Sequence, residues 1–334
     1  MDVDLREWFD KRTSHYSQHE PISALCEAKE RLGASISVCI PTRNEAATIG
    51  RVVRVLRRAL VDRSSLVDEI VVMDANSGDG TAAIARAEGA AVYSEEEVLP
   101  EAGPGRGKGE GLWKSLYACH GDIVCWVDAD IQNIHPRFVY GLVGPLLADE
   151  SVQYVKAFYE RPLRDHKVNQ PSGGGRVTEL LARPMLNLFW PELAGLVQPL
   201  SGEYAGRREV LEQLRFSSGY GVELGLLVDI AARCGLDAIA QVDLEVRVHR
   251  NQDMQSLSRM SFGIMQTALT RLAEEGRWSP DSAYSTTLYQ FGDGGRGYHL
   301  QPHQIVTVER PPIITVDGYR RRREAVLAGR GSEP

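Results

Sequence analysis

Two aspartates separated by one alanine, Asp128 and Asp130, close the apolar stretch DIVCWV that begins at Asp122. In an extended strand residues i and i+2 point to the same side, so both carboxylates would aim one way from a strand's end. Unpaired, they would repel each other and raise one pKa. A divalent cation, or a ligand hydrogen-bonded beside one, would remove the conflict. A turn with an Asp cap before Ile131 is the plainer alternative.

Other residues of chemical interest lie before and after this pair. In GPGRGKG, Lys108 follows a glycine-rich loop that fails the Walker pattern, because Gly109 stands where Ser or Thr is needed. Its backbone N–H groups and ammonium could still meet an anion; a surface loop is the other reading. SGGGRVTE, Ser172 to Glu179, frees the backbone before a helix whose first N–H groups lack intrahelical partners. Arg176 adds a planar fork and Thr178 a hydroxyl, the ingredients of a phosphate pocket. His249, near the end of an alternating run, is a candidate metal ligand with the aspartates. Tyr220 and Glu223 precede an apolar helix, where Glu223 could be a helix-start carboxylate and nothing more.

These residues must be positioned by elements that the hydrophobic pattern outlines. Residues 1–34 read as polar helical segments leading into the core. SISVCI is a buried strand, and Thr42 and Glu45 stand at capping-box spacing before an amphipathic run with Ile49, Val52, Val53 and Leu56 on one face. DEIVVMD is a second strand, followed by the loop ANSGDG and a helix stopped by Gly89. AAVYS is a third strand, leading through the glycine-rich loop to a helix LWKSLYACHG; the fourth strand carries the aspartates. This alternation predicts an α/β fold with a mostly parallel, Rossmann-like sheet covered on both faces, and ligands at the strands' carboxyl ends. Further on, SVQYVKAFYE reads as a strand and GYGVELGLLVDIAARCG as a helix. IAQVDLEVRVHRNQ alternates, with Asp243, Glu245, Arg247 and His249 on one face. From about Ser279 the chain reads as an extension, with a solvated arginine run at Arg320–Arg323. The expected divisions are a lead-in (1–34), an alternating α/β half (35–150), a less regular second half (151–278) and a C-terminal extension (279–334).

Composition narrows the classes. The 334 residues are 43% hydrophobic and 25% charged, an ordinary globular balance, and the formal charge of −7 argues against a general nucleic-acid partner. No apolar run is long enough for a bilayer, and the N-terminus is too polar for a signal peptide. Five scattered cysteines without a CxxC pair suit reduced thiols, so a cytoplasmic protein with no membrane partner is expected.

As an ensemble, a proline-initiated loop bearing Glu45, an Asp-rich loop after the second strand and DAD ending a later one resemble nucleotide-sugar glycosyltransferases of the type A fold. GGGRVTEL, GYGVELGLLVD, VRVHRNQ and the closing ERPPI are similar to the glucosyl-3-phosphoglycerate and mannosyl-3-phosphoglycerate synthases of actinobacterial type, over about residues 20–310. The resemblance implies retaining transfer of glucose or mannose from UDP-glucose, GDP-glucose or GDP-mannose to the 2-hydroxyl of 3-phosphoglycerate. The product would be a compatible solute or polysaccharide precursor, the cofactor Mg2+ or Mn2+, and the assembly a homodimer. Pro41, Thr42, Glu45, Ser77 and Lys108 would hold the nucleotide, and Asp128, with Ala129 beside it, would face the ribose. Asp130 and His249 would ligate the metal. Gly175, Arg176 and Thr178 would grip the acceptor phosphate, with Tyr220, Glu223, Arg247 and Asn251 lining the sugar and acceptor pockets. Two other enzyme readings compete, an inverting type A transferase and a sugar-1-phosphate nucleotidyltransferase. A non-catalytic nucleotide-sugar sensor is the third rival.

Overall fold

A computed structural model describes residues 4–105, 107–165, 168–170, 174–249, 252–279, 284–293 and 298–330. Asn251, and Ser172 and Gly173 of the glycine run, lie outside the described residues.

The chain opens with helix α1 (Leu5–Arg12), strand β1 (Thr13–His15) and helix α2 (Ile22–Leu32). The alternating part follows: β2 (Ile36–Thr42), α3 (Ile49–Leu56), β3 (Glu69–Asp74), α4 (Thr81–Ala87), β4 (Ala91–Ser94), α5 (Lys108–Ala118), β5 (Ile123–Trp126), α6 (Arg137–Ala148) and β6 (Tyr154–Glu160). After the small hairpin β7 (Leu163–Asp165) and β8 (Val168–Gln170) come α7 (Arg183–Phe189), β9 (Tyr204–Arg207) and α8 (Arg208–Leu211). The second half continues with β10 (Phe216–Ser217), α9 (Val222–Cys234), β11 (Ile239–Val246) and the long α10 (Met254–Glu274). A hairpin of β12 (Thr287–Asp293) and β13 (Tyr298–Gln304), then β14 (Glu309–Arg310) and α11 (Asp317–Arg330), complete it.

One eight-stranded sheet, in the order β1-β11-β6-β9-β5-β2-β3-β4, organises these elements. Within it β9 runs antiparallel to both neighbours, β5 and β6, and the remaining pairings are parallel. Apolar side chains fill both faces. On one face Ile49, Val52, Val53 and Leu56 of α3 and Phe138 and Leu142 of α6 belong to one buried apolar cluster; on the other Trp113 of α5 and Leu226 and Ile230 of α9 belong to a second. Burial on both faces explains why strands such as Ile36–Ile40 are apolar at nearly every position.

Several expectations are corrected. The lead-in is not purely helical, since Thr13–His15 forms an edge strand on β11. No capping box forms at Thr42, because β2 extends through that residue in register with Asp74. The helix starts after Thr48 instead. Loop N–H groups of Asn44, Glu45 and Ala46 are taken by side chains of Ser77, Thr81 and Asp79. The helix after the glycine-rich loop begins at Lys108, a full turn earlier than its apolar residues suggest. The alternation of β11 breaks at Glu245, where φ is +66° and the register with β6 shifts between Asp243 and Val246. A bulge of this kind re-aims the residues that follow it. The C-terminal region is woven back into the body: Glu309–Arg310 pairs with Phe216–Ser217, and Ile313 and Tyr319 are buried. In the arginine run, Arg322 stacks on Tyr117 and donates to its carbonyl at 2.8 Å, and Arg323 lies 3.7 Å from Asp122.

Candidate active site

Strand β5 stops at Trp126, so the aspartate pair sits in the turn just past the strand and not within it. That turn is stitched to the chain leaving β11. Gln132 N–H donates to the Val248 carbonyl, Asn133 Nδ2 to the Val246 carbonyl, and Val248 N–H to Asn133 Oδ1, each at 2.8 Å. The stitching brings Arg247 onto the aspartates. Its Nη2 donates to Asp128 Oδ2 and to Asp130 Oδ1, both at 2.8 Å. Like-charge repulsion, which the spacing predicts, is therefore relieved by a guanidinium that is itself only 4% exposed.

Arg247 is held from behind. Its Nε donates to Glu203 Oε1 at 2.9 Å, and Glu203, fully buried, also accepts from the Tyr159 hydroxyl. Strand β9 brings in Glu203, and the approach is close: a Cβ on Gly202 would lie 2.1 Å from Asp128 Oδ2. From the opposite side Lys108, at the start of α5, reaches Asp128 Oδ1 at 2.8 Å and Glu223 Oε1 at 3.0 Å. Glu223 lies in the first turn of α9. Below them Lys156 donates to the Ser201 carbonyl at 2.6 Å, and burial pulls its pKa down to about 7.

The two aspartates diverge electrostatically. Burial works to raise the pKa of Asp128, but Lys108 and Arg247 outweigh it and hold that carboxyl well below the usual range. Asp130 is raised by burial, against Arg247, with Asp128 and Glu45 adding repulsion. Opposed shifts in neighbouring carboxylates are common at sites that bind or react. Burial, with Arg247 and Arg161 nearby, lowers the His249 pKa to about 3, so its imidazole is neutral at ordinary pH. A carboxylate and a neutral imidazole suit a hard or borderline divalent ion such as Mg2+ or Mn2+. Among the described residues no group of three His, Cys, Asp or Glu gathers as a metal cage.

A cavity of about 180 Å³ opens above these groups. Lys108, Asp128, Asp130, Glu223, Arg247 and His249 line it, and so do Gly175, Arg176, Thr178 and Tyr220. Arg176 donates to the Gln252 carbonyl at 3.1 Å and to Met254 Sδ at 3.3 Å; both acceptors are uncharged, and among the described residues no carboxylate pairs with it. The remaining nucleotide candidates do not line the cavity. Pro41 and Thr42 end β2, Glu45 lies in the loop after it, and Ser77 bridges from the loop after β3. Ala129 is buried between the aspartates. Beside this group, Thr42 Oγ1 and Asp74 Oδ1 are buried, and among the described residues neither has a hydrogen-bond partner.

Glu203, Tyr159, Arg161 and Lys156 were not singled out from the sequence. The detectable signal was one charged residue inside an otherwise small and apolar stretch, LSGEYAG.

With the geometry in view, comparison with known proteins decides the family. The profile described as Glycosyl transferase family 2 matches residues 37–215, from β2 through the aspartate turn and β9. Glucosyl-3-phosphoglycerate synthase of Petrotoga mobilis is 48% identical over 312 residues, 93% of this chain and 96% of that protein. This chain belongs to the glucosyl-3-phosphoglycerate synthase family of family 2 glycosyl transferases. Members with solved structures carry the same type A fold. Mannosyl-3-phosphoglycerate synthase from Rubrobacter xylanophilus superposes with a TM-score of 0.86 at 41% identity, covering 94% of this chain and 98% of that one. Mycobacterium tuberculosis glucosyl-3-phosphoglycerate synthase, crystallised with Mn2+, UDP-glucose and phosphoglyceric acid, gives 0.77 at 46% identity, covering 91% and 98%.

Proposed function

We propose that this protein transfers a hexose from a nucleotide sugar to the 2-hydroxyl of 3-phosphoglycerate, with retention at the anomeric carbon and with Mg2+ or Mn2+. The observation that carries the reading is a single cavity in which the aspartate pair, Lys108 and Arg247 adjoin the Gly175–Arg176–Thr178 turn. One end offers carboxylates and cations for a nucleoside diphosphate; the other offers the Arg176 guanidinium for a second anion.

On this reading Pro41, Thr42, Glu45 and Ser77 hold the base and ribose region, and Asp128 faces the ribose. Asp130 and His249 hold the divalent ion, whose charge stabilises the departing diphosphate. Lys108 and Arg247 add fixed positive charge on the same side. Tyr220, Glu223 and Asn251 line the sugar and acceptor pockets. A covalent glycosyl-enzyme would need a carboxylate aimed at the anomeric carbon. Those nearest are already engaged: Asp128 by Lys108 and Arg247, Glu223 by Lys108, and Glu203 by Arg247 and Tyr159. That supports attack from the leaving-group face, with the departing phosphate oxygen taking the acceptor's proton.

Residues 35–150 serve the donor and 151–278 the acceptor, between the lead-in (1–34) and the C-terminal extension (279–334). The enzyme works in the cytoplasm as a homodimer. Five free cysteines, and no described helix long and apolar enough to cross a membrane, support that placement.

The test is to incubate the protein with 3-phosphoglycerate, Mg2+ or Mn2+ and each of UDP-glucose, GDP-glucose and GDP-mannose, then read the anomeric configuration by NMR. An α-linked glycosyl-3-phosphoglycerate from one donor is expected. No product from any donor, or an inverted product, would refute the reading.

A further inference from the structure

The ERPPI segment, Glu309 to Ile313, lies some 200 residues beyond the glycine-rich loop, yet it meets that loop directly. Arg310 forks onto Glu110, with Nε to Oε2 at 2.6 Å and Nη2 to Oε1 at 2.9 Å. The same guanidinium donates to the carbonyls of Ala102 at 2.6 Å and Gly103 at 3.0 Å, where the loop begins. It stacks 5.3 Å from the Trp113 ring, and Trp113 Nε1 donates to the Pro311 carbonyl at 2.8 Å. Glu110 is fully buried and lies two residues after Lys108, in the same first turn of α5. One side chain thus grips both the entry of the loop and the turn that presents Lys108.

The neighbouring residue does the same for the other partner of Lys108. Glu309 Oε1 accepts from Ser217 Oγ at 2.5 Å, and Oε2 from Arg271 Nη2 at 2.9 Å. Strand β14 pairs with β10, which leads into α9 and Glu223. The segment therefore ties together the two elements whose side chains meet in the 3.0 Å contact between Lys108 and Glu223. A flexible four-carbon ammonium is placed by its backbone, and a glycine-rich approach constrains that backbone little.

We propose that Arg310 is a positioning residue of the transfer reaction, setting the start of α5 and hence the place of the Lys108 ammonium against Asp128 and Glu223. The proposal rests on the donor reading given above only for its kinetic consequence; the positioning itself is independent of substrate.

Alanine at Arg310 would leave the buried Glu110 with Lys114, at 3.3 Å, as its one remaining charged partner among the described residues, and such a chain could simply fail to fold. Two gentler changes avoid this. Arg310→Lys keeps a charge for Glu110 but loses the fork to the two carbonyls. Glu110→Gln with Arg310→Met removes both charges at similar volume. With thermal melts confirming folding, UDP and GDP affinities are measured by calorimetry, and crystal structures locate Lys108. Both variants should bind nucleotide about tenfold more weakly, with KM for 3-phosphoglycerate unchanged. In a Lys108→Ala background the same changes should cost little, because contacts acting through one residue are not additive. Folded variants that keep Lys108 on both Asp128 and Glu223, or lose equal affinity with and without Lys108, overturn the assignment. Displacement of Lys108 in the variants supports it even if the native protein binds neither nucleotide, a result that would sink only the donor reading.

Discussion

At the scale of single residues, the centre of the site is a chain of alternating charges: Glu203, Arg247, the aspartate pair, Lys108 and Glu223. Arg247 serves three carboxylates at once, so neutralising one redistributes its hold on the others. Glu203→Gln should strengthen the grip on Asp130 and make the site harder for a divalent ion to enter. Mn2+ affinity, read by EPR titration, is expected to fall about tenfold, the effect of roughly 1.4 kcal/mol; unchanged affinity would contradict this. Asp130→Ala should abolish Mn2+ binding and turnover together. Arg176 belongs to the other end. Charge-assisted hydrogen bonds contribute roughly 1.5–3 kcal/mol each, so Arg176→Ala should reduce kcat/KM for 3-phosphoglycerate about tenfold to a hundredfold. Donor affinity should barely move, and Lys at this position should rescue only part. Equal losses with glycerate lacking the phosphate would reassign Arg176 to a fold-supporting role.

At the scale of elements, two close backbone approaches separate function from stability. Gly202 precedes β9 and abuts Asp128; Gly109 lies in the first turn of α5, where a Cβ would come 1.8 Å from the Ser217 backbone carbonyl. Gly109 thus answers to helix–strand packing, a need that composition does not distinguish from anion binding. Gly109→Ala must push α5 from β10, and overpacking of this kind costs about 1–3 kcal/mol. Differential scanning calorimetry should report a clearly lower Tm. Gly202→Ala can instead be accommodated by moving one side chain, Asp128. Its melt should change little while nucleotide affinity drops. If the two variants showed the same pattern, the division would be wrong. The bulge at Glu245 acts at this scale too, since it ends the alternation of β11 and lets Arg247 turn toward the aspartates.

At the scale of the whole molecule, strands from the lead-in, from both halves and from the C-terminal region complete each other's pairings. Stability therefore reports on buried charges far from the cavity centre. Burial raises the Glu95 carboxyl to about 7, with Glu110 adding repulsion and Lys114 opposing. A carboxyl raised in the fold above its unfolded value binds more protons when folded, so its contribution is full below about pH 4.5 and is lost as pH rises toward 7. Native protein should lose on the order of 2–3 kcal/mol relative to Glu95→Gln across that window. Urea melts of both proteins at pH 5, 6, 7 and 8 measure it. Parallel stability curves would exclude the shift.

Local pattern alone determined a good deal here. The parallel strands from β2 to β5, the helices between them and α9 were readable, because periods of 2 and 3.6 and turn residues act over a few positions; DAD, SGGGRVTE and His249 stood out as candidates on residue type and spacing. Lys108, Asp128, Asp130, Arg176 and Glu223, which line one cavity, could be picked out as charged candidates. Their partners could not. Glu203 meets Arg247 across 44 residues and Arg310 meets Glu110 across 200, and both contacts exist only because particular strands and turns lie side by side. No local period encodes which strand is whose neighbour. The insertion of β9 between β5 and β6, the edge strand Thr13–His15, and the bulge that aims Arg247 are therefore decided by tertiary packing: each satisfies backbone hydrogen bonds and buried charges that become neighbours only once the sheet is assembled.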